Sequence, residues 1–156
     1  MFDVFKSKER REKEKTVTVI GKTLFNQIAD VRNEVKSKNI DVKDFNARLN
    51  SMYSAGYILA FVGKNLAPIC DSEPEKQKFA GQIFNGIFPN NGTKFIQSRV
   101  EARELGQHIA ETSDNPEHTF NAKASCGEFD LGIQAAETEQ KDNPSKLKSY
   151  LMTGKY

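Results

Sequence analysis

Apolar residues are densest from Met52 to Leu66, where they occupy nearly every side of the helix that their spacing predicts. A helix that is apolar all round is surrounded by other segments of the fold. Asp41 can cap such a helix at its start, and Pro68 disfavours helical geometry in the residue before it. We therefore predict a buried central helix at about 42–67.

Small residues form a stripe on one side of this helix. Gly56, Ala60 and Gly63 recur at spacings of 4 and 3, which places them on one face. A face without large side chains lets another backbone approach closely. We interpret this stripe as a site of close helix packing rather than as a ligand site.

Amphipathic periodicity predicts helices before and after the central one. A first helix extends from residue 16 to about 38, because apolar residues recur there at spacings of 3, 4, 4, 3 and 4. Ser72 and Glu75 have the spacing of a capping box and start a third helix. A fourth spans about 93–112. The residues of the first stripe are Val17, Ile20, Leu24, Ile28, Val31 and Val35.

The second half of the chain is also helical in composition. Asn115 and the following proline form a helix start, but Gly127 and Gly132 interrupt the region 117–139, which can be one helix or two. A short terminal helix follows. The prediction is an all-α fold, a single-domain irregular bundle of five or six helices around the buried central helix.

Composition limits the classes of function. The chain has 156 residues, 23 basic and 21 acidic side chains, two cysteines and two histidines. This nearly even charge argues against a nucleic-acid partner. The chain shows neither a disulfide framework nor a membrane-spanning run, and charge occupies the place of a secretory signal. We expect a cytoplasmic protein, which can also be peripheral to the inner face of a membrane.

The first fifteen residues differ from the rest. Residues 1–15 form a charged N-terminal tail or helix extension, and residues 16–156 form the single helical domain. Phe2 and Phe5 precede a basic run that includes Arg10 and Arg11. An apolar end on a basic stalk can dock on a protein groove or on an anionic membrane surface. Alternatively, the two phenylalanines pack on the chain's own bundle.

An aromatic run around the turn at residues 89–92 offers a second candidate contact. Phe88 can stay exposed there as an anchor for a partner. It can equally close a hydrophobic corner of the bundle, since most phenylalanines are buried.

Acidic residues and a histidine form a stripe on the fourth helix. Glu104, His108 and Glu111 recur at spacings of 4 and 3, so one face carries two carboxylates and an imidazole. Such a stripe can hold a metal ion when it points into a helical bundle. A solvated charged face is the other interpretation, and it needs no ligand.

These observations favour binding over catalysis. We expect a non-enzymatic helical protein–protein interaction module, an adaptor, inhibitor or regulator, with no catalytic residues and no cofactor. Its partner is a protein, which includes a second copy of the chain. The alternatives are a peripheral membrane-associated protein that uses the N-terminal segment, and a metal-binding protein or enzyme that uses the Glu/His stripe.

Overall fold

Helices account for almost all of the regular structure. The computed structural model describes residues 2–38 and 40–156, with side chains from Ser7 onward. This part of the chain contains seven helices and no strands, which confirms the all-α class and the bundle. The helices are α1 (Phe2–Ser37), α2 (Val42–Leu49), α3 (Met52–Leu66), α4 (Glu73–Ile87), α5 (Gly92–Thr112), α6 (Pro116–Glu137) and α7 (Lys146–Thr153).

The predicted number of five or six helices was wrong because the segment 42–67 is two helices, α2 and α3. Ser51 separates them: its backbone is extended, and its hydroxyl accepts a hydrogen bond from the Ser54 amide at 3.2 Å. The Ser54 hydroxyl donates to the Arg48 carbonyl oxygen at 2.7 Å. These two bonds satisfy backbone groups at the break, which makes it a stable junction.

The region 117–139 contains a single helix, α6 (Pro116–Glu137), despite its two glycines. Asn115 caps this helix, since its side chain accepts hydrogen bonds from the Glu117 and His118 amides. Ser72 and Asp41 cap α4 and α2 in the same manner, as the sequence predicts.

Helix α3 is the buried centre of the bundle, as its composition predicts. It contacts α1, α2, α4, α5 and α6. Complete burial of one large apolar side chain contributes about 1.5–3 kcal/mol, so this helix supplies much of the core. Its fully buried large side chains are Tyr57, Ile58, Phe61, Val62 and Leu66.

The contact between α3 and α6 depends on one glycine from each helix. A Cβ atom at Gly56 would lie 2.2 Å from the Phe129 carbonyl oxygen, and one at Gly132 would lie 2.1 Å from the Tyr53 carbonyl oxygen. Both distances are far shorter than a van der Waals contact. Only glycine therefore permits these two backbones to approach so closely. The predicted packing role is confirmed at Gly56.

A lysine and a glutamate join the end of α6 to α7. The Lys64 ammonium group donates to the carbonyl oxygens of Ala136, Glu137 and Glu139, at 3.2, 2.9 and 2.6 Å. The buried Glu139 carboxylate accepts hydrogen bonds from the Ser145 and Lys146 amides, at 2.8 and 2.7 Å. Carbonyl groups at a helix end favour a cation, and amides at a helix start favour an anion.

The charged segment before residue 16 is the first part of α1. Lys13 forms ion pairs with Asp71 and Glu75 near the start of α4. About two turns further along both helices, Gly21 lies next to Ile83. Helices α1 and α4 therefore run side by side in the same direction.

We predict that Gly132→Ala lowers the free energy of unfolding by about 1–3 kcal/mol, because the added methyl group overlaps the α3 backbone. The matched control is Gly127→Ala on the same helix, where a Cβ atom meets nothing within 4 Å. That control raises stability by up to about 1 kcal/mol through helix propensity. Urea unfolding followed by circular dichroism measures both. Equal shifts in the two variants would contradict the close packing.

Candidate functional site

The N-terminal candidates are partly accessible. Arg10 and Arg11 are exposed on α1, and Arg10 pairs with Glu14 at 3.0 Å. The side chains of Phe2 and Phe5 lie outside the described residues. Their predicted contact with a partner therefore stays a prediction.

Phe88 lies at the corner between α4 and α5 and is half-buried. Its ring packs on Phe95 with the centroids 4.5 Å apart and the planes tilted by 44°. The Arg99 guanidinium covers the Phe95 ring at 5.2 Å. This geometry fits the corner-closing interpretation better than a free anchor.

A groove lies next to this corner, on the surface formed by three helices. Helices α3, α4 and α5 enclose a groove with a volume of about 450 Å³, which we name the open groove. Its apolar wall consists of Leu59, Phe84 and Ile96. This volume lies within the usual range for sites that receive a ligand or a few partner side chains.

Two glycines keep the open groove empty. A Cβ atom at Gly63 would meet nothing within 4 Å, and one at Gly81 would contact only Thr93 Oγ1, at 3.4 Å. Gly63 belongs to the same stripe of small residues as Gly56. The predicted packing role of this stripe therefore applies to its first part, whereas its last residue faces the open groove.

The rim of the open groove is polar and carries no excess of either charge. Glu73 and Lys76 form an ion pair at 3.6 Å, and Gln77 and Gln97 add two uncharged amides. An exposed ion pair of this kind contributes little to stability. Because the ion pair is weak, its two side chains can also hydrogen-bond other molecules.

The Glu/His stripe of α5 lies on the surface. Glu104, His108 and Glu111 are all exposed, and Glu111 accepts a hydrogen bond from Gln107 at 3.1 Å. Among the described residues, no group of three or more histidine, cysteine, aspartate or glutamate side chains is arranged to hold a metal ion. The arrangement fits a solvated face.

The two cysteines are half-buried and unpaired with each other. The Cys126 thiol donates to the Arg103 carbonyl oxygen at 3.3 Å. Burial raises the pKa of the Cys70 thiol, mainly by penalising the thiolate. A reactive cysteine needs the opposite shift, so Cys70 fits a structural role.

Three tyrosines cluster where α3, α7 and the residues after α7 meet. The Tyr53 ring centroid lies 4.2 Å from that of Tyr150 and 5.0 Å from that of Tyr156. The Tyr150 hydroxyl donates to Ser51 Oγ at 3.0 Å. Burial, aided by the negative charge of Glu139, raises the pKa of Tyr53 to about 12.

Comparisons with family models, curated proteins and solved structures found no match to this chain. None of the described helices combines the length and the apolar character that crossing a bilayer requires.

Sequence reasoning missed the open groove and the tyrosine cluster. Both arise from residues far apart in the chain, such as Gly63 with Gly81, or Tyr53 with Tyr150. The only hint in the sequence was Gly63, because a glycine destabilises a helix interior and is usually kept there for a structural or functional reason. Its spacing from Gly56 suggested packing, and the alternative of an unfilled groove was not visible.

We predict that stability falls as the pH rises from 10 to 12. The unfolded chain releases the tyrosine proton near pH 10, whereas folded Tyr53 retains it up to about pH 12. The unfolded state therefore binds fewer protons in this window, and ionisation favours unfolding. The urea midpoint measured across the window should fall less steeply in Tyr53→Phe than in the wild type. Parallel slopes would show that Tyr53 has an ordinary pKa.

Proposed function

We propose that this protein is a helical protein-interaction module that acts by binding, and that its open groove receives one amphipathic helix of a partner protein. The observation that carries this proposal is the unfilled space above Gly63, beside the apolar wall formed by Leu59, Phe84 and Ile96. Binding is favourable when a partner's apolar side chains displace water from an apolar space of this kind.

A helix fits this groove better than an extended strand. Strand addition needs an exposed sheet edge, and the described residues form helices without strands. Helix-in-groove binding instead needs a cleft between helices that takes apolar anchors at spacings of three and four. Ala80, Gly81 and Gly63 have small side chains or none, so the partner's backbone can come close to α3 and α4.

The rim indicates the chemistry of the partner's polar edge. Glu73, Lys76, Gln77 and Gln97 offer donors and acceptors of both signs without a net charge. A partner helix with mixed polar residues flanking its apolar stripe satisfies these groups. A strongly acidic or strongly basic helix would leave one member of the Glu73–Lys76 pair opposed by like charge.

The test is a selection of displayed helical peptides with apolar anchors at spacings of three and four. We expect enriched peptides to bind the wild type and to shift the methyl NMR signals of Leu59 and Ile96, which line the open groove. Gly63→Leu should weaken that binding at least about tenfold, because the leucine occupies the space the anchors need.

The matched control is Gly127→Leu, since a side chain at this exposed position also meets nothing within 4 Å. Both variants gain helix propensity, so neither should lose stability. Peptide binding should persist in Gly127→Leu. The proposal fails if no peptide is enriched, or if Gly63→Leu binds the selected peptides as well as the wild type. If the chain sediments as a dimer that Gly63→Leu dissociates, the groove's occupant is a second copy instead.

A further inference from the structure

The outward side of α1 carries more cations than carboxylates. Nine positions at spacings of three and four form a row along this helix, which we name the α1 outer row: Lys8, Arg11, Lys15, Val19, Lys22, Asn26, Ala29, Asn33 and Lys36. Five of the nine are basic, none is acidic, and all are exposed except the half-buried Ala29. At 1.5 Å per residue the row is about 42 Å long.

Two of the glutamates among residues 9–14 lie off the row, and the third lies beside it. Glu9 pairs with Lys13 at 3.6 Å, and Glu14 pairs with Arg10 at 3.0 Å. Glu12 is the one that pairs with a member of the row, Lys15, at 2.8 Å. Glu9 and Glu14 therefore leave the row uninterrupted, whereas Glu12 lies beside the row and offsets the charge of Lys15.

Most of the row's charge has no partner within the bundle. In the described part of the chain, Arg11, Lys22 and Lys36 form no ion pair. Cations that face solvent side by side repel one another and attract an anionic surface.

Two apolar side chains lie among these cations. Val19 is 50% exposed, and Phe25, beside Lys22, is 48% exposed. Phe25 also borders a shallow groove of about 310 Å³ between α1 and α4, with Gly21 and Gly86. Basic residues around apolar side chains are typical of a surface that rests at the boundary between lipid headgroups and acyl chains.

We propose that the α1 outer row binds the surface of a membrane that contains anionic lipids. The opposite side of α1 is buried in the bundle through Val17, Ile20 and Leu24. A recognition helix reads DNA in the major groove mainly with its N-terminal residues, whereas the row extends along about 42 Å of α1. A flat bilayer surface can contact the whole length of a straight row. Insertion of the Val19 and Phe25 side chains into it removes apolar surface from water, which favours binding.

This inference goes beyond the proposed function and does not depend on it. Gln82 and Gly86 of α4 border the shallow groove beside the row, whereas Ala80 and Phe84 border the open groove. These pairs point to opposite sides of α4. Binding to a membrane would thus leave the open groove accessible to a protein partner.

The experiment measures flotation of the full chain with phosphatidylcholine vesicles that contain phosphatidylserine at about one third, at low ionic strength. We expect binding to these vesicles and none to pure phosphatidylcholine. The variant Arg11→Gln/Lys15→Gln/Lys22→Gln should reduce the partition coefficient on the order of 100-fold, since each basic residue near an anionic surface contributes about fivefold.

The matched control is Lys43→Gln/Lys123→Gln/Lys141→Gln, which removes the same charge from exposed positions outside the row. It should keep most of the binding, and circular dichroism should show both variants to be folded. Phe25→Ser should weaken the part of the binding that survives added salt.

Three results would overturn the proposal. Equal losses in the two triple variants would show that net charge, and not the row, attracts the vesicles. Equal binding to neutral and anionic vesicles would remove the role of charge altogether. Binding to a DNA or RNA duplex at the same salt, without binding to the anionic vesicles, would assign the row to nucleic acid.

Discussion

The close crossing of α3 and α6 is the constraint on which the rest of the structure depends. Gly56 and Gly132 bring two backbones into direct contact, and this contact fixes where α6 lies against the buried centre of the bundle. Packing at van der Waals distance over such a surface gives many small attractive contacts. Because a side chain at either glycine would overlap backbone atoms, the crossing leaves little freedom for another arrangement.

Two features at the far end of α3 follow from this crossing. The end of α6 comes within reach of Lys64, which binds its last carbonyl oxygens, and Glu139 then binds the first amides of α7. Two turns beyond Gly56, Gly63 belongs to the same small-residue stripe, but a Cβ atom there would meet nothing within 4 Å. One stripe thus packs tightly at one end and opens a groove at the other, and that groove is the surface to which we assign protein binding.

The sequence predicts the features that depend on local spacing. The all-round apolar run of α3, the stripe of α1 and the caps at Ser72 and Asn115 need only neighbours along the chain. The break at Ser51 was missed because apolar residues continue on both sides of it. The groove at Gly63 and the Glu139 cap depend on residues far apart in the chain, which periodicity alone does not bring together. The cationic row of α1 was hidden by three glutamates in the basic run, of which the helix turns Glu9 and Glu14 away from the row.

The most direct test of this account is a set of NOEs measured by NMR on the isotope-labelled protein. The account predicts strong NOEs from the Gly56 α-protons to Phe129 and from the Gly132 α-protons to Tyr53, because these backbones touch. It also predicts that the Gly63 α-protons show no contact with α4 or α5 side chains across the open groove. Missing NOEs at the crossing, or a Gly63 covered by side chains of this same chain, would contradict it.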